Sequence, residues 1–262
     1  MLIKNVIDVL ETVAPPSLQE SYDNAGLLVG RADAPLTGVL FCLDSTESIV
    51  QEAINLGCNL IVAHHPIIFR GLKQLNGKNY VERTVMLALR NNIAVYAIHT
   101  NLDNVHARGV NARIAEQLNL TDTRILLPRP GAIDTGAGLI GRLPEPMDER
   151  DFLHFVKQRM QTGCVRHTAW LGRPVQTVAV CGGAGSFLVH EARRQKADAF
   201  VTADFKYHEF FDAEGELIIA DIGHYESEQY TISLLFDIVS EKFPNFALHC
   251  TKQNTNPVSY LV

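Results

Sequence analysis

His64 and His65 stand side by side ahead of Pro66, at the end of the apolar run Leu60 to Ala63. Imidazole nitrogen is a ligand for zinc, iron and manganese. In an extended segment successive side chains point to opposite sides, so neighbouring histidines reach two points more readily than they chelate one ion. That geometry suggests two metals. The alternative is a pair of loop histidines bonded to backbone carbonyls, and the motif alone leaves both readings open.

The other residues able to join such chemistry fall at strand ends or at the helix starts that follow: His99, Asp103, Asp204, His208, His224 and Glu228. His224 and Glu228 are four apart, so on a helix they share one face. Imidazole and carboxylate without thiolate suit zinc, iron or manganese better than a structural zinc knot. Glu228 or Asp103 could also bridge two ions roughly 3.5–4 Å apart, the spacing of two-metal hydrolytic sites.

The elements that position these residues read as α/β. Leu60 to Ala63 is short, branched and without alternation, as in a strand of a parallel sheet covered on both faces. Val39 to Asp44 has the same character. Between them Ser45 opens an amphipathic helix through Ile49, Val50 and Ala53 that ends near Gly57, giving a β-α-β unit with a right-handed crossover. A helix from about 81 to 91 and a strand from Ile93 to Ile98 repeat the theme, bringing His99 and Asp103 out at the same sheet edge as the histidine pair. Ligands of parallel sheets collect beyond the carboxyl ends of the strands.

Elsewhere the pattern predicts a helix over 2–13 closed by Pro15-Pro16, a turn into a short strand over 22–30, and a helix over 104–118. Residues 126–138, with three glycines and two prolines, read as the passage to a second lobe. There a strand at 138–143, a helix at 148–160, strands at 165–170, 177–181, 198–204 and 216–221, and one helix from His224 to about Lys242 are expected. Phe246 to Cys250 reads as a last strand. An offset of 139 residues lays 198–204 on 59–65 and 178–181 on 39–42, a weak repeat used only to place strands. The expected organisation is two α/β lobes of mostly parallel β-α-β units. The first lobe is 1–125, joined by the C-terminal segment 229–262; the second is 126–228.

Rival chemistries are weaker. The turn Cys181-Gly-Gly-Ala-Gly-Ser186 offers backbone amides to an anion, but it lacks the lysine of a P-loop and does not complete the dinucleotide fingerprint. Tight packing is the favoured role and phosphate contact the alternative. No Gly-x-Ser-x-Gly elbow is present, and no cysteine is placed beside a histidine in an evident catalytic arrangement.

Composition fits this picture. The chain has 262 residues with 47% hydrophobic and 20% charged residues, ordinary for a globular protein. No apolar run spans a membrane, and the charged N-terminal stretch reads as an amphipathic helix, so a cytoplasmic protein with no membrane partner is expected. Five scattered cysteines without a Cys-x-x-Cys pair argue against a disulfide framework. A net charge of −6 gives no global basic surface for nucleic acid, leaving a local basic patch as the alternative.

Six motifs, taken in order, resemble the Nif-three-like dinuclear-metal-centre family, whose bacterial members carry the label GTP cyclohydrolase 1 type 2 homolog. They are Tyr22-Asp-Asn-Ala-Gly-Leu-Leu-Val-Gly30, Ala63-His-His-Pro66, His99-Thr-Asn-Leu-Asp103, Cys181-Gly-Gly-Ala-Gly185, Lys206-Tyr-His208 and Gly223-His-Tyr-Glu-Ser-Glu228. The resemblance implies His64, His65, Asp103, His224 and Glu228 as ligands of two divalent ions (zinc, iron or manganese) lying at strand ends between the lobes. It also implies a ring-shaped homohexamer with the metal sites facing its cavity. Two departures, Ala203 in the Thr-Gly-acid position and Glu226 in place of a smaller residue, touch none of these ligands.

Two functions follow as expectations. One is a metal-dependent hydrolase acting on a nucleotide-like or phosphorylated small molecule, with His99, Asp204 and His208 as candidates for orienting ligands or moving protons. The other is a non-catalytic metal-binding, metal-delivery or protein-interaction scaffold.

Overall fold

The computed structural model describes residues 1–131 and 134–261; residues 132 and 133 of the expected passage lie outside this description. The chain is an α/β protein that divides into two compact units, Met1–Leu102 with Thr231–Pro257, and Asp103–Tyr230 with Val258–Val262. This division falls at 102/103, whereas the glycine- and proline-rich shift in composition lies further on, at 126–138.

The first unit begins with helix α1 (Ile3–Val13), then strands β1 (Gly26–Val29) and β2 (Val39–Cys42), helix α2 (Glu47–Leu56), strand β3 (Leu60–Ala63), helix α3 (Tyr80–Arg90) and strand β4 (Ala94–Ala97). A single turn, α4 (Thr100–Asp103), spans the division. The second unit holds α5 (Val110–Gln117), β5 (Thr121–Pro128), β6 (Gly136–Met147), α6 (Glu149–Arg159), β7 (Arg166–His167), β8 (Val175–Ala184), α7 (Val189–Arg194), β9 (Ala199–Ala203), β10 (Ile218–Asp221) and α8 (His224–Glu228). Helix α9 (Thr231–Ser240) and strand β11 (Leu248–Cys250) return to the first unit.

In the first unit the sheet order is β1-β4-β3-β2-β11. The pairs β4–β3, β3–β2 and β2–β11 are parallel, and only the edge strand β1 runs antiparallel. Every residue of β2, β3 and β4 is buried, which is why these strands lack alternation: both faces are covered. On one face Leu40, Ile61 and Val95 pack with Ile49, Val50 and Ala53 of α2 and Val85 and Ala88 of α3. On the other, Phe41 meets Phe236 of α9 edge to face. Truncating Ile61 to alanine in such a core costs on the order of 2–5 kcal/mol. Thr46 caps α2 through the Ile49 amide, and Gly57 ends it in the left-handed region, where glycine carries no Cβ penalty.

The second unit has the order β5-β6-β8-β9-β10-β7. Its centre, β8–β9–β10, is parallel, and antiparallel strands complete both edges. The hairpin β5–β6 overlaps the stretch read as a passage, its strands covering 126–128 and 136–138 of it. Its first strand is largely exposed, so the apolar alternation that marks a strand is absent. The helix expected over 224–242 is broken at Gln229 and Tyr230. Gln229 Nε2 donates to the Met160 carbonyl at 2.9 Å and Tyr230 Oη to the Arg159 carbonyl at 2.7 Å, pinning the break to the end of α6. Likewise 104–118 is helical only from Val110. No described helix is long and apolar enough to cross a membrane.

Candidate metal centre

In the first unit the ladder of parallel strands continues past its last residues and carries the histidines with it. The His64 amide donates to the Cys42 carbonyl at 3.2 Å, the His65 amide to Leu43 at 2.9 Å, and the Ile98 amide to Ala63 at 3.0 Å. His64, His65 and His99 therefore emerge together. Their ring centroids are 5.0, 5.3 and 5.4 Å apart, and one ligand nitrogen from each lies within 4.8 Å of the others.

Each ring has its Nδ1 on a separate acceptor at 2.8 Å: the Ile98 carbonyl for His64, Asp44 Oδ1 for His65 and Asp23 Oδ1 for His99. A carbonyl and a carboxylate can only accept, so Nδ1 carries the proton. The lone pair then sits on Nε2, the arrangement that orients metal-ligating histidines. His64 is fully buried. The loop-histidine alternative has one element of truth, since His64 does bond a backbone carbonyl, but that bond orients a converging ring.

Asp23 belongs to the turn read as structural from sequence. Its side chain is fully buried, and Oδ2 accepts from the Thr100 amide at 3.0 Å and the Thr100 hydroxyl at 2.5 Å. Burial works against this carboxylate, but the bonds from His99 and Thr100 overcome it and hold its pKa at about 2. Residue type alone gave no sign of this role; the polar pair Asp23-Asn24 reads equally well as turn chemistry.

The second unit holds a cluster of its own. Glu228 is buried, and one of its oxygens lies within 4.8 Å of one from Asp103. His224, one turn earlier on α8, bonds Glu228 Oε2 through Nε2 at 3.1 Å and Asp204 Oδ2 through Nδ1 at 2.7 Å. Burial alone would lower its pKa; the Glu228 and Asp204 carboxylates raise it to about 11. Its two ring nitrogens thus face two carboxylates. Burial, together with Asp103 and Glu228, pushes the nearby Cys181 thiol up, so it stays a protonated core group.

The glycines after Cys181, read as a turn from sequence, lie instead at the end of β8, where its pairing with β9 shifts register between Val180 and Ala184, and they pack against this cluster. The Gly182 amide donates to Asn111 Oδ1 at 3.0 Å and the Gly183 amide to Ser227 Oγ at 2.9 Å. These amides are engaged within the protein, which supports the packing role over phosphate contact. Gly183 has φ +61°, and a Cβ there would overlap Glu228 Oε1 and come within 3.2 Å of His224 Cε1. Residue 183 is glycine because the Glu228 and His224 side chains fill the space.

Of the expected residues, His64, His65 and His99 meet in the first unit, and Asp103, Asp204, His224 and Glu228 in the second. His208 is exposed beside the Tyr207 and Phe211 rings, at 5.0 and 6.5 Å. A cavity of about 640 Å³ near it is lined by Arg166, Tyr207, Phe210, Phe211 and Leu217 among others, and none of the candidate ligands reaches it.

Each cluster on its own chemistry suits a divalent metal: pre-oriented imidazoles within the first unit, and within the second buried carboxylates with an imidazole, with no thiolate in either. Comparison with known proteins shows the family. The Duf34/NIF3 (NGG1p interacting factor 3) family matches residues 1–257. A GTP cyclohydrolase 1 type 2 homolog of Clostridium perfringens is 30% identical, covering 92% of each chain, and one of Lactococcus lactis is 33% identical, covering 98% of each. The crystal structure of a Bacillus cereus protein related to NIF3 superposes with a TM-score of 0.91 at 26% identity, over 100% of this chain and 99% of that one.

Proposed function

The chain belongs to the Duf34/NIF3 family, and from that premise we propose that it binds two divalent ions and hydrolyses a nucleotide-like or phosphorylated small molecule. His64, His65, Asp103, His224 and Glu228 hold the ions in this reading. Zinc, iron and manganese all suit imidazole and carboxylate. When bound, such ions supply Lewis acidity and make water a competent nucleophile near neutral pH.

The single observation that carries the reading is the tethering of Nδ1 in His64, His65 and His99, which leaves the lone pair on Nε2 of three imidazoles that each offer a nitrogen within 4.8 Å of the others. The protein's own residues divide the remaining work. Asp204 orients His224, and Asp23 holds His99 where it can accept or return a proton beside His64 and His65. His208 enters as a proton carrier by residue type alone. The relatives' label, GTP cyclohydrolase 1 type 2 homolog, supports a nucleotide-like substrate class without specifying the reaction.

Turnover by metal-loaded protein across a nucleotide, phosphodiester and amide panel, abolished by His64→Ala, is the expected result. No turnover, or turnover unchanged in His64→Ala, counts against the hydrolase. The family description as an interacting factor favours the second reading, a non-catalytic metal-binding or interaction scaffold. In that case chelation lowers stability or disrupts the assembly, and no substrate is turned over. A homohexamer is part of the proposal through the family resemblance and is read by sedimentation. A reducing compartment such as the cytoplasm accords with five free cysteines.

A further inference from the structure

After β11 the first unit ends in an irregular segment, yet this tail is tied down along α2 and the loop before it. Thr251 Oγ1 bonds Glu52, the Lys252 amide donates to Glu52 Oε1 at 3.1 Å, and Gln253 Nε2 donates to the Ser48 carbonyl at 3.0 Å. The fourth bond ends elsewhere. Thr255 Oγ1 donates at 2.7 Å to Asp44 Oδ2, while Asp44 Oδ1 holds His65 Nδ1 at 2.8 Å.

The two bonds engage different oxygens of one carboxylate. An aspartate carboxyl turns easily about its last torsion, whose wells are broad. Held at one oxygen it can swing and take the imidazole with it; held at both, its plane is set. His64 uses a backbone carbonyl, and the Asp23 partner of His99 is fixed by Thr100, the residue next to His99 itself. The anchor of His65 instead comes from 211 positions beyond Asp44.

We propose that Thr255 is a positioning residue of the metal centre, clamping Asp44 so that Asp44 fixes the tautomer and plane of His65. This rests on the reading of His65 as a metal ligand. It gives the docked tail a role in ion binding beyond covering α2.

The test uses the full chain as wild type, Thr255→Val, Thr255→Ser, Asp44→Asn and the Asp44→Asn/Thr255→Val pair, with Co(II) as the probe ion. Affinity and the visible spectrum are read in titrations, and the His65 Nδ1 resonance in the metal-free, ¹⁵N-histidine-labelled protein. Thr255→Val is expected to shift that resonance and weaken one ion by about tenfold, the lower end for residues that orient ligands, with little change in Tm. Thr255→Ser restores both, and Thr255→Val adds nothing once Asp44 is Asn. A wild-type resonance and affinity in Thr255→Val overturn the proposal, as does an equal loss with and without the Asp44 carboxylate. If Thr255→Val does not fold, Thr255→Ala carries the same comparison. Wild type that takes up no cobalt contradicts the metal reading, while the His65 resonance still decides the relay.

Discussion

His99 Nδ1 lies 2.8 Å from Asp23 Oδ1, across 76 positions of sequence. That bond makes the turn after α1 a part of the imidazole cluster, and it ties a pH dependence to one carboxylate.

Burial disfavours ionised Asp23, but His99 and Thr100 hold it at about 2, below its ordinary 3.8. A depressed carboxylate contributes its full stabilisation above 3.8 and loses it as the pH falls through about 2. The difference amounts to on the order of 2 kcal/mol. Denaturant unfolding at a series of pH values should show Asp23→Asn less stable than wild type at pH 6, with the gap closing toward pH 2. A gap that stays constant with pH contradicts the assignment.

Asp204 is an exposed residue whose main identified contact is His224 Nδ1. Asp204→Asn should leave Tm within a few degrees of wild type while weakening metal binding roughly 10–100-fold, the usual cost of removing a group that orients a ligand. Calorimetric titration with zinc measures it. Unaltered affinity means His224 needs no such support.

Gly183→Ala meets two penalties, a left-handed backbone and a Cβ in the space of Glu228 Oε1. Strain at such a position costs about 1–3 kcal/mol, so a lower Tm is expected, together with a larger loss of metal than Gly172→Ala produces. Gly172 also has positive φ, +71°, but a Cβ there meets nothing within 4 Å. Equal metal content in the two variants contradicts a role for Gly183 in seating Glu228.

Much of this was legible in the residues. The buried strands β2, β3 and β4 announce themselves as apolar runs without alternation, and His64, His65 and His99 follow from where those runs stop. The spacing of His224 and Glu228 survives because α8 keeps one turn of helix even though the longer helix is broken. What sequence did not show depends on contacts far apart in the chain. The hairpin β5–β6 has an exposed edge strand, so its pattern is weak. The break at Gln229 and Tyr230 is fixed by carbonyls at the end of α6, which no local signal encodes. Asp23, Asp44 and Thr255 look like ordinary turn and tail residues until the fold brings them to histidine rings.

The central claim is that the imidazoles and carboxylates hold metal. Elemental analysis of protein purified without chelators or added metal, compared with its His64→Ala variant, tests this most directly. About two ions per chain in the wild type, reduced in the variant while its fold is retained, is the predicted result. Metal-free wild type after offering zinc, iron and manganese, or a His64→Ala variant with undiminished content, would contradict it.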